Sequence, residues 1–202
     1  MQKNSSKPKT RCAWVPVDNE QYQRYHDTEW GVPVHDDRKI FEFLVLESAQ
    51  AGLSWVTVLK KRENYRKAFL DFDFWKVAKF TSADVSKLLQ DPGLIRNRRK
   101  IEASINNAKC FLKVQEEFGT FAQYIWSFVD SKPIQNKWEK FSDLPTTTKE
   151  SEALCKDLKQ RGFRFLGPTV VYAHMQATGM VNDHTMDCFR YKEVTHSIRK
   201  TI

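Results

Sequence analysis

The chain has 202 residues, 41% hydrophobic and 29% charged, an ordinary balance for a globular protein with one substantial core or a main domain and a smaller lobe. No segment approaches the ~20 continuous apolar residues of a membrane span, and no apolar signal core opens the chain, so a spanning helix is excluded and a cytoplasmic monomer is expected. A net charge of +8 with 13% aromatic residues, six tryptophans among them, favours nucleic acid over a membrane surface as partner, since rings stack on bases.

Residues 1–10 are polar, basic and aperiodic, and read as a disordered tail. Asp18 is placed to cap a short helix through Tyr25, and Asp36 or Asp37 to cap a longer one over 36–51. Ser54 opens a helix toward Phe69, and Ser82 caps one with Val85, Leu88 and Leu89 inward. A helix over 95–115 carries Ile101, Ile105, Ala108, Phe111 and Leu112 on one stripe. Another at 121–129 leads into a polar loop at 130–147; the last two span 149–160 and 168–179, the second with Pro168 in its first turn. No alternating run exceeds about four residues, so the fold class is all-α, with one domain over 11–190 and a C-terminal tail at 191–202. Cys110 and Cys155 fall in helical patterns and read as free core thiols; four scattered cysteines make no disulfide framework.

Glu47 is the anomaly in the 36–51 helix. Its neighbours on the helix face are Ile40, Phe43, Leu44 and Ala51, all apolar, so the carboxylate points inward. An unpaired buried carboxylate costs several kcal/mol and must be protonated, hydrogen-bonded or matched to a cation. Gly52-Leu53-Ser54-Trp55 follows, a helix break and then a large flat ring. An acid beside an aromatic wall suits a flat, electron-poor or cationic ring; the alternative is a structural Glu paired with a core Arg or backbone amides.

Between the helices at 82–90 and 95–115, Asp91-Pro92-Gly93-Leu94-Ile95-Arg96-Asn97-Arg98-Arg99-Lys100 joins a tight turn to a run of basic residues. Read as a hairpin over about 82–115, such a turn aims backbone N–H groups at a DNA phosphate without reading sequence. The alternative is an ordinary αα-turn with solvated arginines. Cys12 and His26 lie near the start of the chain, and far downstream His184 and Cys188 stand four residues apart, on one face of a helical turn. Two Cys and two His complete a tetrahedral zinc set with no open position, hence a structural metal; satisfied core or surface side chains are the alternative.

Several blocks, in order, resemble the bacterial 3-methyladenine DNA glycosylase I family. They include Cys12-Ala13-Trp14-Val15, Tyr25-His26-Asp27-Thr28-Glu29-Trp30-Gly31-Val32-Pro33, Gln50-Ala51-Gly52-Leu53-Ser54-Trp55, Gly93-Leu94-Ile95-Arg96, Trp126-Ser127-Phe128-Val129 and Val181-Asn182-Asp183-His184. The resemblance covers roughly residues 11–190. It implies a helix-hairpin-helix fold, a structural Zn2+ on Cys12, His26, His184 and Cys188, and a base pocket built of Glu47, Trp14, Tyr22, Tyr25, Trp30 and Trp55. The implied activity is monofunctional excision of 3-methyladenine from alkylated duplex DNA. Ser48-Ala49 stands where family members often have Gly-Gln, which bears on the fine shape of the pocket.

Within this frame Glu47 reads as a recognition and electrostatic residue, a buried anion awaiting a cationic base. Gly52 and Leu53 form either a wedge for the gap left by a flipped base or a helix-ending Gly before a core Leu. Gly93, Leu94 and Arg96 are the expected phosphate contacts, and Lys60, Lys61 and Arg62 a solvated face. Lys100 is the candidate for a rival Schiff-base mechanism, with phosphate contact as its other role. A zinc-stabilised DNA-binding module without catalysis is the alternative from another class.

Overall fold

The computed structural model describes residues 9–201, with side chains described through Thr195. Of the expected N-terminal tail, residues 1–8 lie outside the described residues; Thr10 is held by the backbone bond from Phe189 N to its carbonyl at 2.9 Å. Among the described residues ten α-helices follow in order: α1 Glu20–Thr28, α2 Asp37–Gln50, α3 Trp55–Ala68, α4 Phe74–Val77, α5 Ser82–Gln90, α6 Arg98–Phe118, α7 Phe121–Trp126, α8 Lys149–Gln160, α9 Pro168–Ala177 and α10 Phe189–Thr201. None of the described helices is long and apolar enough to cross a membrane.

Local chemistry sets the helix starts. Asp36 caps α2 through Lys39 N, and Ser54 caps α3 through Thr57 N, as expected. Asn19, not Asp18, caps α1, and Thr81, not Ser82, caps α5 through a reciprocal capping box with Asp84. In both cases the neighbouring residue holds the extended backbone a cap requires. The α6 helix begins at Arg98 rather than 95, because Asn97 accepts the Lys100 amide and Ile95 N is taken by the Tyr65 hydroxyl.

Two short strands depart from the all-helical expectation: β1 Ile134–Gln135 and β2 Val181–Asn182 pair in parallel. They are too short to show an alternating pattern, and their pairing is made by distant chain segments. Residues 191–201 are helical and continue α10, with Val194 buried, and Asn182 Nδ2 donates to Tyr191 O and Thr195 Oγ1.

At the centre lies α2, buried continuously from Ile40 to Ala49 and packed against α3, α6, α7 and α9. A helix covered on every side carries little amphipathic stripe. Its other acid, Glu42, is also buried, and is met by Lys39, Arg62 and Arg66 at 2.9, 2.8 and 3.1 Å. Arg62 is therefore not part of a solvated face: it is buried and also binds Glu29 through both terminal nitrogens.

Candidate active site and metal centre

A space of about 250 Å3 opens over Glu47. The chain approaching α1 supplies Trp14, α1 supplies Tyr22 and Tyr25, its exit supplies Trp30, and Trp55 begins α3. All five rings expected around Glu47 line this space. Trp14 meets Trp30 edge-on at 4.9 Å and Tyr22 at 5.5 Å; Tyr25 tilts against Trp55 at 5.3 Å. Such mutually braced rings cannot collapse into the opening, so it stays shaped.

No hydrogen bond or ion pair from the described residues reaches the Glu47 carboxyl. Its burial, with no counter-charge, pushes its pKa up to about 8. The raised value favours the neutral form of the acid near pH 7 when no cation stands beside it. The structural alternative for Glu47 also fails: the core arginine exists, but it serves Glu42 and Glu29.

Five further residues line the pocket without having been anticipated: Gln50, Phe141, Leu144, Ala173 and Gln176. Gln50 was legible, standing one turn from Glu47 on the same face. Phe141 and Leu144 come from the segment before α8, where Phe141–Asp143 form a 3-10 turn, and Asp183 anchors the chain just upstream. That carboxylate accepts from Asn136 and Trp138 of the loop's strand side (2.6 and 2.8 Å) and from Tyr172 and Gln176 of α9 (2.6 and 2.8 Å).

Beside the pocket, α2 ends at Ala51 and the chain turns through Gly52, whose φ of +77° demands a residue free of side-chain strain. Leu53 follows, 42% exposed, which settles against the core-leucine alternative. The hairpin turn between α5 and α6 divides its expected contacts. Arg96 is exposed, with Arg98 and Arg99 beside it. Leu94 is a correction: its side chain is in the core at 3% exposure, and its N–H donates to Asp91 O. The Gly93 N–H is taken by the Asp91 carboxylate at 2.7 Å, and a Cβ there would press on Asn64 at 2.8 Å, so this glycine serves the turn's own packing. Lys100 points inward and donates to Ala49 O and Ala51 O at 2.9 and 2.6 Å, so its ammonium is committed to the protein backbone.

Cys12, His26, His184 and Cys188 converge, all buried, with ligand atoms within 4.8 Å of one another. In a tetrahedral zinc site with Zn–S about 2.3 Å and Zn–N about 2.1 Å, adjacent S and N ligands stand roughly 3.5 Å apart. Cys12 Sγ to His184 Nδ1 is 3.5 Å, Cys188 Sγ to His26 Nε2 3.5 Å and Cys188 Sγ to His184 Nδ1 3.6 Å. The outward nitrogens are engaged too: His26 Nδ1 with Asp27 at 2.8 Å, His184 Nε2 with Trp30 O at 3.1 Å. Outer partners of this kind fix ring tautomer and orientation in metal sites. The donor set fits zinc. The cluster also touches the pocket, since His26 packs on Trp14 at 5.2 Å and His184 on Trp30 at 4.7 Å.

The fold is mostly helical and presents one unpaired acid among five aromatic rings. The chain belongs to the methyladenine glycosylase family, whose model matches residues 14–191. It is 50% identical over 181 residues to DNA-3-methyladenine glycosylase 1 of Escherichia coli K12, covering 90% of this chain and 96% of that protein. It is 51% identical to the DNA-3-methyladenine glycosylase of Haemophilus influenzae over 89% of this chain and 96% of the relative. Among solved structures, a 3-methyladenine DNA glycosylase I superposes with a TM-score of 0.86 at 51% identity, covering 89% of this chain and 98% of that one.

Proposed function

We propose that the protein excises 3-methyladenine from alkylated duplex DNA by hydrolysis, leaving an abasic site. The observation that carries this reading is Glu47, buried without a partner inside a ring-lined space of base size. A purine alkylated at N3 is cationic in the nucleotide and leaves as a neutral base, so cleavage needs little proton donation to the leaving group. What the protein must do is take the base out of the stack, at a cost of a few kcal/mol, and hold it. The entering cation supplies the counter-charge that Glu47 lacks. The carboxyl then releases its proton to solvent and accepts from the exocyclic amine edge, and the indole and phenol faces add cation–π attraction.

Leu53, carried on the Gly52 turn, is the group to fill the vacated position in the duplex. Arg96, with Arg98 and Arg99, meets the phosphates, and the α5–α6 turn acts as the DNA-gripping hairpin. The inward commitment of Lys100 supports a monofunctional enzyme, since no lysine is among the described residues that line the pocket. Cys12, His26, His184 and Cys188 would hold one structural Zn2+, which supplies cross-linking rather than chemistry. The chain's own residues Trp14 and Trp30 would thereby be fixed over Glu47.

The test is release of free base from methylated duplex DNA, compared across 3-methyladenine, 3-methylguanine and 7-methylguanine. Release of 3-methyladenine without strand nicking is expected. DNA binding without any release would overturn the enzymatic reading in favour of a binding module.

A further inference from the structure

Lys100 is a buried cation that the proposed chemistry does not use. It stands in the first turn of α6, directly behind the exposed Arg96, Arg98 and Arg99. Its ammonium makes no ion pair with any acid among the described residues. It donates instead to Ala49 O and Ala51 O, 2.9 and 2.6 Å away. Ala49 O lies in the last turn of α2 and Ala51 O belongs to its C-cap, and that last turn contains no basic residue of its own. Helix C-terminal carbonyls lack intrahelical partners and carry the negative end of the macrodipole, so a cation is the natural group to satisfy them.

The placement has a mechanical meaning. Ala51 leaves helical geometry (φ −44°, ψ 115°) and Gly52 follows at φ +77°, with no heavy atom within 4 Å of the position a Cβ would take. Leu53 N–H donates to Gln50 O at 2.6 Å and Ser54 caps α3 directly after it, so where Leu53 projects is set by the backbone at the two ends of this short turn. Lys100 grips that backbone on both sides of Gln50, a pocket residue one turn from Glu47. The same side chain belongs to the helix whose exposed N-terminal arginines face outward toward the phosphates.

We propose that Lys100 is a positioning residue that couples the DNA-gripping hairpin to the Gly52–Leu53 wedge, setting the wedge where the extruded base leaves its gap. The inference rests on the glycosylase reading above, and its test separates the two. Lys100→Met keeps the stem and removes the donors; Lys100→Arg restores a cation that reaches the same carbonyls. Three quantities are measured: single-turnover excision from alkylated duplex, binding of free 3-methyladenine by tryptophan fluorescence, and unstacking of a 2-aminopurine placed beside the lesion.

The expected result for Lys100→Met is a loss of roughly 100-fold in excision, the scale of a small misplacement of reacting groups. Free-base binding should stay within about twofold and the 2-aminopurine signal should fall, with Lys100→Arg recovering part of both losses. Should Lys100→Met not fold, Lys100→Gln, which keeps an amide donor, is judged by the same criteria. Excision close to wild type, or excision and free-base binding falling in step, would overturn the positioning role. Absence of excision by the wild-type protein would instead overturn the glycosylase reading.

Discussion

Glu42 and Glu47 share one buried helix and meet opposite electrostatic fates. Burial pushes the Glu42 carboxyl up, but the Arg62 hydrogen bond and charge, with Lys39, carry it below its ordinary value. Glu47 has the burial and none of the cations, and stays high at about 8. The fold thus has the means to neutralise a buried acid on α2 and applies it to one alone. A strongly perturbed acid in a ring-lined space is a candidate for ligand contact.

Stability should record that incompleteness. Between pH 4.5, the ordinary value for Glu, and about pH 8, folded Glu47 keeps a proton that the unfolded chain has released. Its contribution therefore becomes more unfavourable as pH rises through that window, by a few kcal/mol at most. Glu47→Gln should raise Tm at pH 8, and the margin should close toward pH 4.5. The same variant should lose roughly 10- to 100-fold in single-turnover excision of 3-methyladenine. A variant with wild-type excision would remove Glu47 from the chemistry.

Proton release should accompany recognition. A cationic alkylated base binding below pH 8 meets the neutral acid and must drive its proton off. Calorimetry in buffers of different ionisation enthalpy should detect release of up to one proton, fading above pH 8, and affinity for the cation should rise over the same range. A heat independent of buffer would show that Glu47 binds the base with its proton retained.

Metal content should be one zinc per chain by native mass spectrometry. Chelation, or Cys12→Ser and Cys188→Ser, should lower Tm and change tryptophan emission, because Trp14 and Trp30 pack on the two histidines. Metal-free protein with unchanged Tm would remove zinc from the account.

Arg96 and Leu94, two positions apart in one turn, should separate cleanly. Arg96→Ala should weaken duplex binding uniformly across sequences and reduce the salt slope by about 1. Leu94→Ala should instead cost roughly 2–4 kcal/mol of stability, as expected for a buried leucine, with little change in salt dependence. Equal salt slopes for Arg96→Ala and wild type would take Arg96 off the phosphates.

The legible parts were those with a local cause. The inward direction of Glu47 follows from helical period, and the caps at Asp36 and Ser54 from short-range hydrogen bonding. Asn19 and Thr81 were missed by one residue each, because adjacent side chains compete for one amide and backbone angles decide the winner. Leu94 and Arg96 look alike as members of a basic turn; which one faces solvent depends on what packs beneath.

By itself the sequence determined a mostly helical chain, an acid facing inward from α2, the rings that accompany it, and the four residues suited to one metal. The helices and the direction of the acid are matters of residue type and periodicity over a few turns; the rings and the four-residue metal set were implied by the resemblance to a family. Only the tertiary structure decided that Arg62 pairs with Glu42 and Glu29 while Glu47 stays unpaired, that Lys100 turns inward to α2, and that Phe141 and Gln176 complete the pocket. Those outcomes depend on contacts between segments distant along the chain, where burial and geometry, rather than sequence spacing, assign each charge its partner.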